Sequence, residues 1–267
     1  MKEKVMNRVK EHYDYLKEKY PNYEIVYLAL QGSQNYDLDV YTDEYISDID
    51  TKAIILPNLE NIVLNMKMVS ETIILPNNEH IDVKDIRNMF ENFKKQNINF
   101  IEILFTEYKI INPKYEEFIN SLIKNREYIA RFNIMQTVKS IVGMSGEKLK
   151  ALQHPYPTII DKINKYGYDP KQLHHIVRLN EFLERYINGA DYEKCLKTKN
   201  KEYLLDIKKG KILVDEAVVM ANKIHEDTKK QYEDYKKSNE INVNNEVIDL
   251  LEDVILECLK KYWKGMI

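Results

Sequence analysis

The chain has 267 residues, with 40 Lys and Arg against 43 Asp and Glu and a formal charge of −3. That near balance excludes a global electrostatic drive toward nucleic acid or membrane, so any polyanion must be held by a local site. Cys195 and Cys258 lie far apart and outside any Cys-x-x-Cys or Cys/His cluster, so neither a disulfide scaffold nor a zinc site is indicated.

The opening stretch MKEKVMNRVKEHYDYLKEKY is charged and lacks the apolar core of a signal peptide. No later run approaches the roughly 20 apolar residues of a membrane span, and the expectation is a soluble, cytoplasmic protein. Val5, Val9, His12, Leu16 and Tyr20 recur at helical spacing and predict an amphipathic first helix stopped by Pro21-Asn22, with His12 on its surface. Tyr23 to Leu30 (YEIVYLAL) predicts a strand ending at Gln31-Gly32-Ser33, where glycine allows a tight exit from a sheet. A polar stretch, Gln34 to Ser47, predicts a short helix and loop before a second strand, Asp48 to Leu56. Ile73 to Leu75 and Glu79 to Val83 predict short strands around Pro76-Asn77-Asn78, followed by a helix near Ile86 to Lys95 and a strand at Phe100 to Thr106. After Pro113 helical periods run almost throughout: 115–124, 128–152, 170–186, 214–235 and 247–263. The expected fold is an α/β (α+β) core with a mixed sheet over residues 1–112 and an all-α domain over 113–267.

Asp48 and Asp50 stand two apart in the predicted second strand, so their carboxylates emerge on one face. Like charges that close require a cation, and hard oxygen donors select Mg²⁺ or Mn²⁺. Asp82 is the candidate third ligand, in a strand able to pair beside 48–56, with Asp85 next if the register differs. Gly32 and Ser33 would offer close backbone approach and a hydroxyl to phosphate oxygens. Singly these features are commonplace; their order along the chain is not.

The strand-ending Gly-Ser of QGSQNY, followed by SDID, resembles the polymerase-β nucleotidyltransferase superfamily. With Asp82, NFIEILF and KQLHHIVRL, the stretch from Ile25 to Gly189 is similar to the RlaP/YcgL family of predicted nucleotidyltransferases. That resemblance implies transfer of NMP from an NTP with pyrophosphate release, and it places Gly32, Ser33, Asp48, Asp50 and Asp82 at the motif positions. It leaves the acceptor open among nucleic acid, protein and small molecule. It also implies Gly after the Tyr, where this chain has Asp37, and a shorter segment before Ser47.

Lys171, His174, His175 and Arg178 stand at i, i+3, i+4 and i+7 on one helix face. The expectation is that Lys171 and Arg178 meet phosphate oxygens and His175 a phosphate or the base; the structural alternative is a surface helix pairing with Glu181 and Glu184. His80, alternating with Asp82, is expected near the rim of the site. The leading function is a Mg²⁺-dependent nucleotidyltransferase; the alternative is a nucleotide-binding sensor or interaction module without turnover.

Overall fold

The computed structural model describes residues 2–40, 47–241 and 243–265. In chain order the elements are α1 (Lys2–Lys19), β1 (Glu24–Gln31), β2 (Asp50–Leu56), α2 (Leu59–Val63), β3 (Ser70–Ile74), β4 (His80–Asp85), α3 (Ile86–Lys94), α4 (Ile98–Ile101) and β5 (Lys109–Ile111). Helices α5 (Glu116–Lys124), α6 (Arg126–Arg131), α7 (Ile134–Ala151), α8 (Ile160–Tyr166), α9 (Pro170–Ile187), α10 (Tyr192–Leu196), α11 (Lys201–Lys208), α12 (Val214–Ser238) and α13 (Asn245–Lys264) follow. The expected α/β core followed by a helical region is therefore observed. Among the described residues no helix is long and apolar enough to cross a membrane.

The chain forms two compact units, Met1–Asn35 with Asp39–Phe132 and Val243–Ile267, and Tyr36–Leu38 with Asn133–Asn242. The expected division at 112/113 does not coincide with this partition. Helices α5 and α6 belong to the sheet unit, and α13 returns to it to pack on α5 and α3. Helical period identifies such segments as helices without saying which layer they cover.

In the first unit a mixed five-stranded sheet has the order β3-β4-β2-β1-β5, with β2 and β4 parallel and the other pairs antiparallel. Strands β1 and β2 are central and almost wholly buried, which explains their unbroken runs of Ile, Val, Leu and Ala. Val5, Val9 and Leu16 of α1 pack with Leu28, Leu30, Ala53, Ile55, Ile81 and Val83 on one face. On the other, the Lys52 Nζ lies 4.2 Å from the centre of the Phe100 ring.

Two sequence expectations change here. NFIEILF, expected as a strand, is helical: α4 is capped by Asn97, whose side chain accepts from the Asn99 N–H, and a 3₁₀ turn spans Glu102–Leu104. Phe100, Ile101, Ile103 and Leu104 are all buried, so apolar periodicity carried no signal distinguishing strand from helix. The sheet's fifth strand is instead the short, half-buried Lys109–Ile111. His12, expected on the surface of α1, is fully buried.

In the second unit α9 is the central helix, packed by α7, α10, α11 and α12. It starts cleanly: Asp169 caps it by accepting from the Lys171 N–H, and Pro170 fills the first turn, where no N–H is required. The expected breaks near 154–157, 188–189, 209–210 and 238–239 all separate helices.

Candidate active site

The candidate site is built at the end of the sheet where β1 stops and β2 and β4 begin. Antiparallel pairing sets Gln31 opposite Asp50, which carries the Gly32-Ser33 turn to the level of the residues just before β2. Gly32 has φ +104°, and space is open where a Cβ would stand; the requirement for glycine is conformational rather than steric. The turn is tied across the gap: the Gln34 Nε2 donates to the Asp48 carbonyl at 2.8 Å, and the Asn35 Nδ2 to the Leu30 carbonyl at 3.0 Å. Both anchors follow the glycine directly, yet neither was marked by sequence reasoning.

Asp48 differs from expectation. The strand begins at Asp50, so the two carboxylates are not aligned by the ladder. Asp48 is exposed, and its carboxylate makes no hydrogen bond or ion pair among the described residues; Asp50 is half-buried, with its Oδ1 3.0 Å from the His80 Nδ1. What fixes the pair is Ile49 between them. Its side chain is buried and its N–H donates to the Glu79 Oε1 at 3.1 Å.

Glu79 is the hub of a buried network. Its Oε2 accepts from the Arg8 Nη2 at 2.5 Å, the His12 Nε2 at 2.9 Å and the Asn77 Nδ2 at 3.0 Å. The other ring nitrogen of His12 lies 2.9 Å from the Thr51 Oγ1. An Nε2–H donated to the carboxylate leaves Nδ1 to accept from the threonine hydroxyl, a neutral tautomer that satisfies both ends. Burial drives the His12 pKa below its ordinary value, opposed by the hydrogen bond to Glu79. The β3–β4 turn delivers the hub: Asn78 adopts φ +64°, and the Asn77 side chain accepts from the Glu79 N–H. Sequence reasoning missed this set, because Arg8, His12 and Glu79 are separated by up to 71 positions.

Asp82 lies where the register was expected to put it, on β4 beside β2. Lys52 pairs with Asp82 and Asp50 with His80, so all four share a face. The Asp82 carboxylate, however, is taken by two cations, with Lys52 Nζ at 2.5 Å and Lys84 Nζ at 2.7 Å. Among the described residues no group of three or more His, Cys, Asp or Glu is arranged to hold a metal ion. The donor chemistry of Asp48 and Asp50 suits a hard divalent ion, whereas Asp82 as it stands is neutralised. The fallback candidate, Asp85, is buried on the opposite face, caps α3 and pairs with Arg87 at 2.7 Å.

The Val40 and Ser47 backbones are clamped, Ser47 N–H to Val40 carbonyl at 2.8 Å and Val40 N–H to Ser47 Oγ at 2.9 Å. The serine of Ser-Asp-x-Asp is thus tied to Val40; residues 41–46 of the expected lead-in lie outside the described residues.

The other residues singled out from the sequence belong to the helical unit. Lys171 is exposed, His175 half-buried and Arg178 buried, so the face is not the surface stripe that spacing implied. The Arg178 guanidinium lies 3.9 Å over the Tyr36 ring. Glu181 accepts from the Thr198 hydroxyl and, at 2.6 Å, from the Lys199 N–H, and its Oε1 lies 3.7 Å from the Arg185 Nη1 on the same helix. Asp37, where the resemblance implies glycine, has φ +60°: the left-handed conformation is present and an aspartate supplies it, paired with Lys197 at 3.1 Å.

No family model matches the chain, and no curated protein matches it. Among solved structures, a nucleotidyltransferase-like protein from Exiguobacterium sibiricum 255-15 is similar over 88% of this chain and 76% of that one, at 10% identity and a TM-score of 0.33.

Proposed function

We propose that the protein is a divalent-metal-dependent nucleotidyltransferase that moves NMP from an NTP to a hydroxyl acceptor, releasing pyrophosphate. The observation that carries this reading is the placement of Gly32-Ser33 against Asp48-Ile49-Asp50 at one sheet end, fixed by the Gln31–Asp50 pairing and the Gln34 to Asp48 hydrogen bond. A glycine turn that admits a polyphosphate beside two carboxylates is the minimum that phosphoryl-group chemistry of this kind requires.

Asp48 and Asp50 would hold Mg²⁺ or Mn²⁺, which when bound supplies charge stabilisation to the transferring phosphoryl group. The Glu79 hub holds the Ile49 N–H and so anchors the main chain that carries both carboxylates. His80, 3.0 Å from Asp50, orients that carboxylate. Asp82 would join as third carboxylate by exchanging Lys84 or Lys52 for a metal ion. Within the helical unit, taken by itself, Lys171, His175 and Arg178 are proposed as phosphate contacts. The acceptor class, RNA, protein or small molecule, is left to the assay.

A second reading, a nucleotide-binding module without turnover, is favoured by one observation: the double lysine pairing of Asp82. Pyrophosphate release separates the two. The purified protein is given each NTP with Mg²⁺ and pools of RNA, protein and small hydroxyl acceptors. Release that depends on an acceptor supports transfer; NTP binding without release from any pool supports the second reading.

A further inference from the structure

His174 was read as one of four residues on a cationic helix face, and it has no part in the function proposed above. It is 4% exposed, and neither ring nitrogen has a hydrogen-bond partner among the described residues. A desolvated imidazole with both nitrogens unmatched is an expensive arrangement, of the kind that persists where a ligand completes it. Its ring meets that of His175 edge-on, 5.4 Å between centres.

The charges facing this pair are all positive. Arg178 and Lys171 on α9 and Lys208 on α11 act on His174; Arg178, Lys171 and Lys148 on α7 act on His175; neither set contains a carboxylate among the described residues. Burial first, and these cations after it, hold the His174 pKa down at about 3, so the ring is neutral and offers one N–H without adding to the charge. The Arg178 guanidinium lies over the face of Tyr36, 3.9 Å from the ring centre. Lys208 is held nearby through the Leu38 carbonyl, 3.1 Å from its Nζ.

We propose that His174, together with Lys171 and Arg178, forms a subsite for a phosphate-type oxyanion contained wholly within the helical unit, the His174 ring N–H donating to an anionic oxygen. The inference rests on the reading of this helix face as phosphate-binding, adds His174 as the central contact, and is independent of whether NMP is transferred.

The test is calorimetric titration of the full chain with sodium tripolyphosphate in Mg²⁺-free buffer. Wild type and Lys260→Ala, at an exposed position on α13, should bind alike. His174→Phe and His174→Leu should each bind about tenfold more weakly or worse, the loss of one charge-assisted hydrogen bond. At least one of the two should melt at or above the wild-type temperature, because each removes unmatched buried nitrogens. Lys171→Ala, at an exposed position, should weaken binding several-fold with no change in melting. The proposal is overturned if wild type does not bind, if both His174 variants bind as wild type does, or if Lys260→Ala loses as much as His174→Phe. It also fails if both His174 variants melt lower, which would show the nitrogens to be matched. Failure of NTP turnover with tripolyphosphate binding intact would remove the transferase reading and leave this one standing.

Discussion

Replacing Glu79 by Gln keeps the shape of the side chain and removes its charge, at a position where four N–H donors converge. Three reach Oε2 and one, from Ile49, reaches Oε1. An ionised carboxylate can accept all four; an amide has one oxygen, and its NH₂ must face at least one of the donors. With the amide oxygen kept toward Arg8, His12 and Asn77, the NH₂ opposes the Ile49 N–H, which is buried and loses its partner. That costs about 1–3 kcal/mol, and loss of the negative charge beside Arg8 raises the total to about 3–5 kcal/mol. For a unit of this size, melting should fall by about 6–20 °C. Thermal unfolding followed by circular dichroism reads the shift, and calorimetry with Mg²⁺ reads the loss of affinity expected of the proposed metal site once the Ile49 backbone between Asp48 and Asp50 is no longer anchored. Unchanged melting and unchanged Mg²⁺ affinity in Glu79→Gln would refute the claim that this hub positions the pair.

Asp37→Gly should change stability by no more than about 0.5 kcal/mol, relieved left-handed strain offsetting the lost exposed ion pair, whereas Asp37→Val should cost about 1–2 kcal/mol or more. Paired melting curves of the two variants check this. His12, His174, His175 and His225 all have pKa values lowered in the fold, burial being the leading cause. The unfolded chain therefore binds more protons below its histidine pKa of 6.5, so stability is independent of these groups above that pH and falls as the solution is acidified through it. For His174 the withdrawal between pH 6.5 and 5 is about 2 kcal/mol, and denaturant midpoints across that interval should flatten in His174→Phe. Asp82→Asn should destabilise by about 3–5 kcal/mol because it leaves the Lys52 charge buried, and Lys52→Met should cost less, its stem still packing on Phe100. Denaturant titration of both variants orders the two costs.

What the sequence made legible follows from what is local. Strands β1 and β2, the β3–β4 turn and α9 announce themselves through apolar runs, turn residues and a Pro-marked start, and each stands within a few residues of expectation. The Gly32 turn and Asp50 were legible as a strand end and a strand start; that they meet at one sheet end comes from the antiparallel pairing of the two strands. Long-range partners were not legible. Nothing at His12 or Glu79 predicts that α1 and the β3–β4 turn meet beneath Ile49, and nothing at Asp82 predicts two lysines on its carboxylate. The NFIEILF stretch failed for the complementary reason, burial on all sides having erased the period. Spacing placed Lys171, His174, His175 and Arg178 on one helix face but could not show that the middle of that face is buried against other helices.

The central claim is tested most directly by following the α-phosphate of an NTP. The protein is incubated with each α-labelled NTP, Mg²⁺ and cell extract as the source of acceptor, beside Asp48→Asn and Asp50→Asn confirmed as folded. The account predicts label transfer by wild type, reduced about 10²-fold or more in either variant. Equal labelling by wild type and both variants, or none from any NTP, would contradict it.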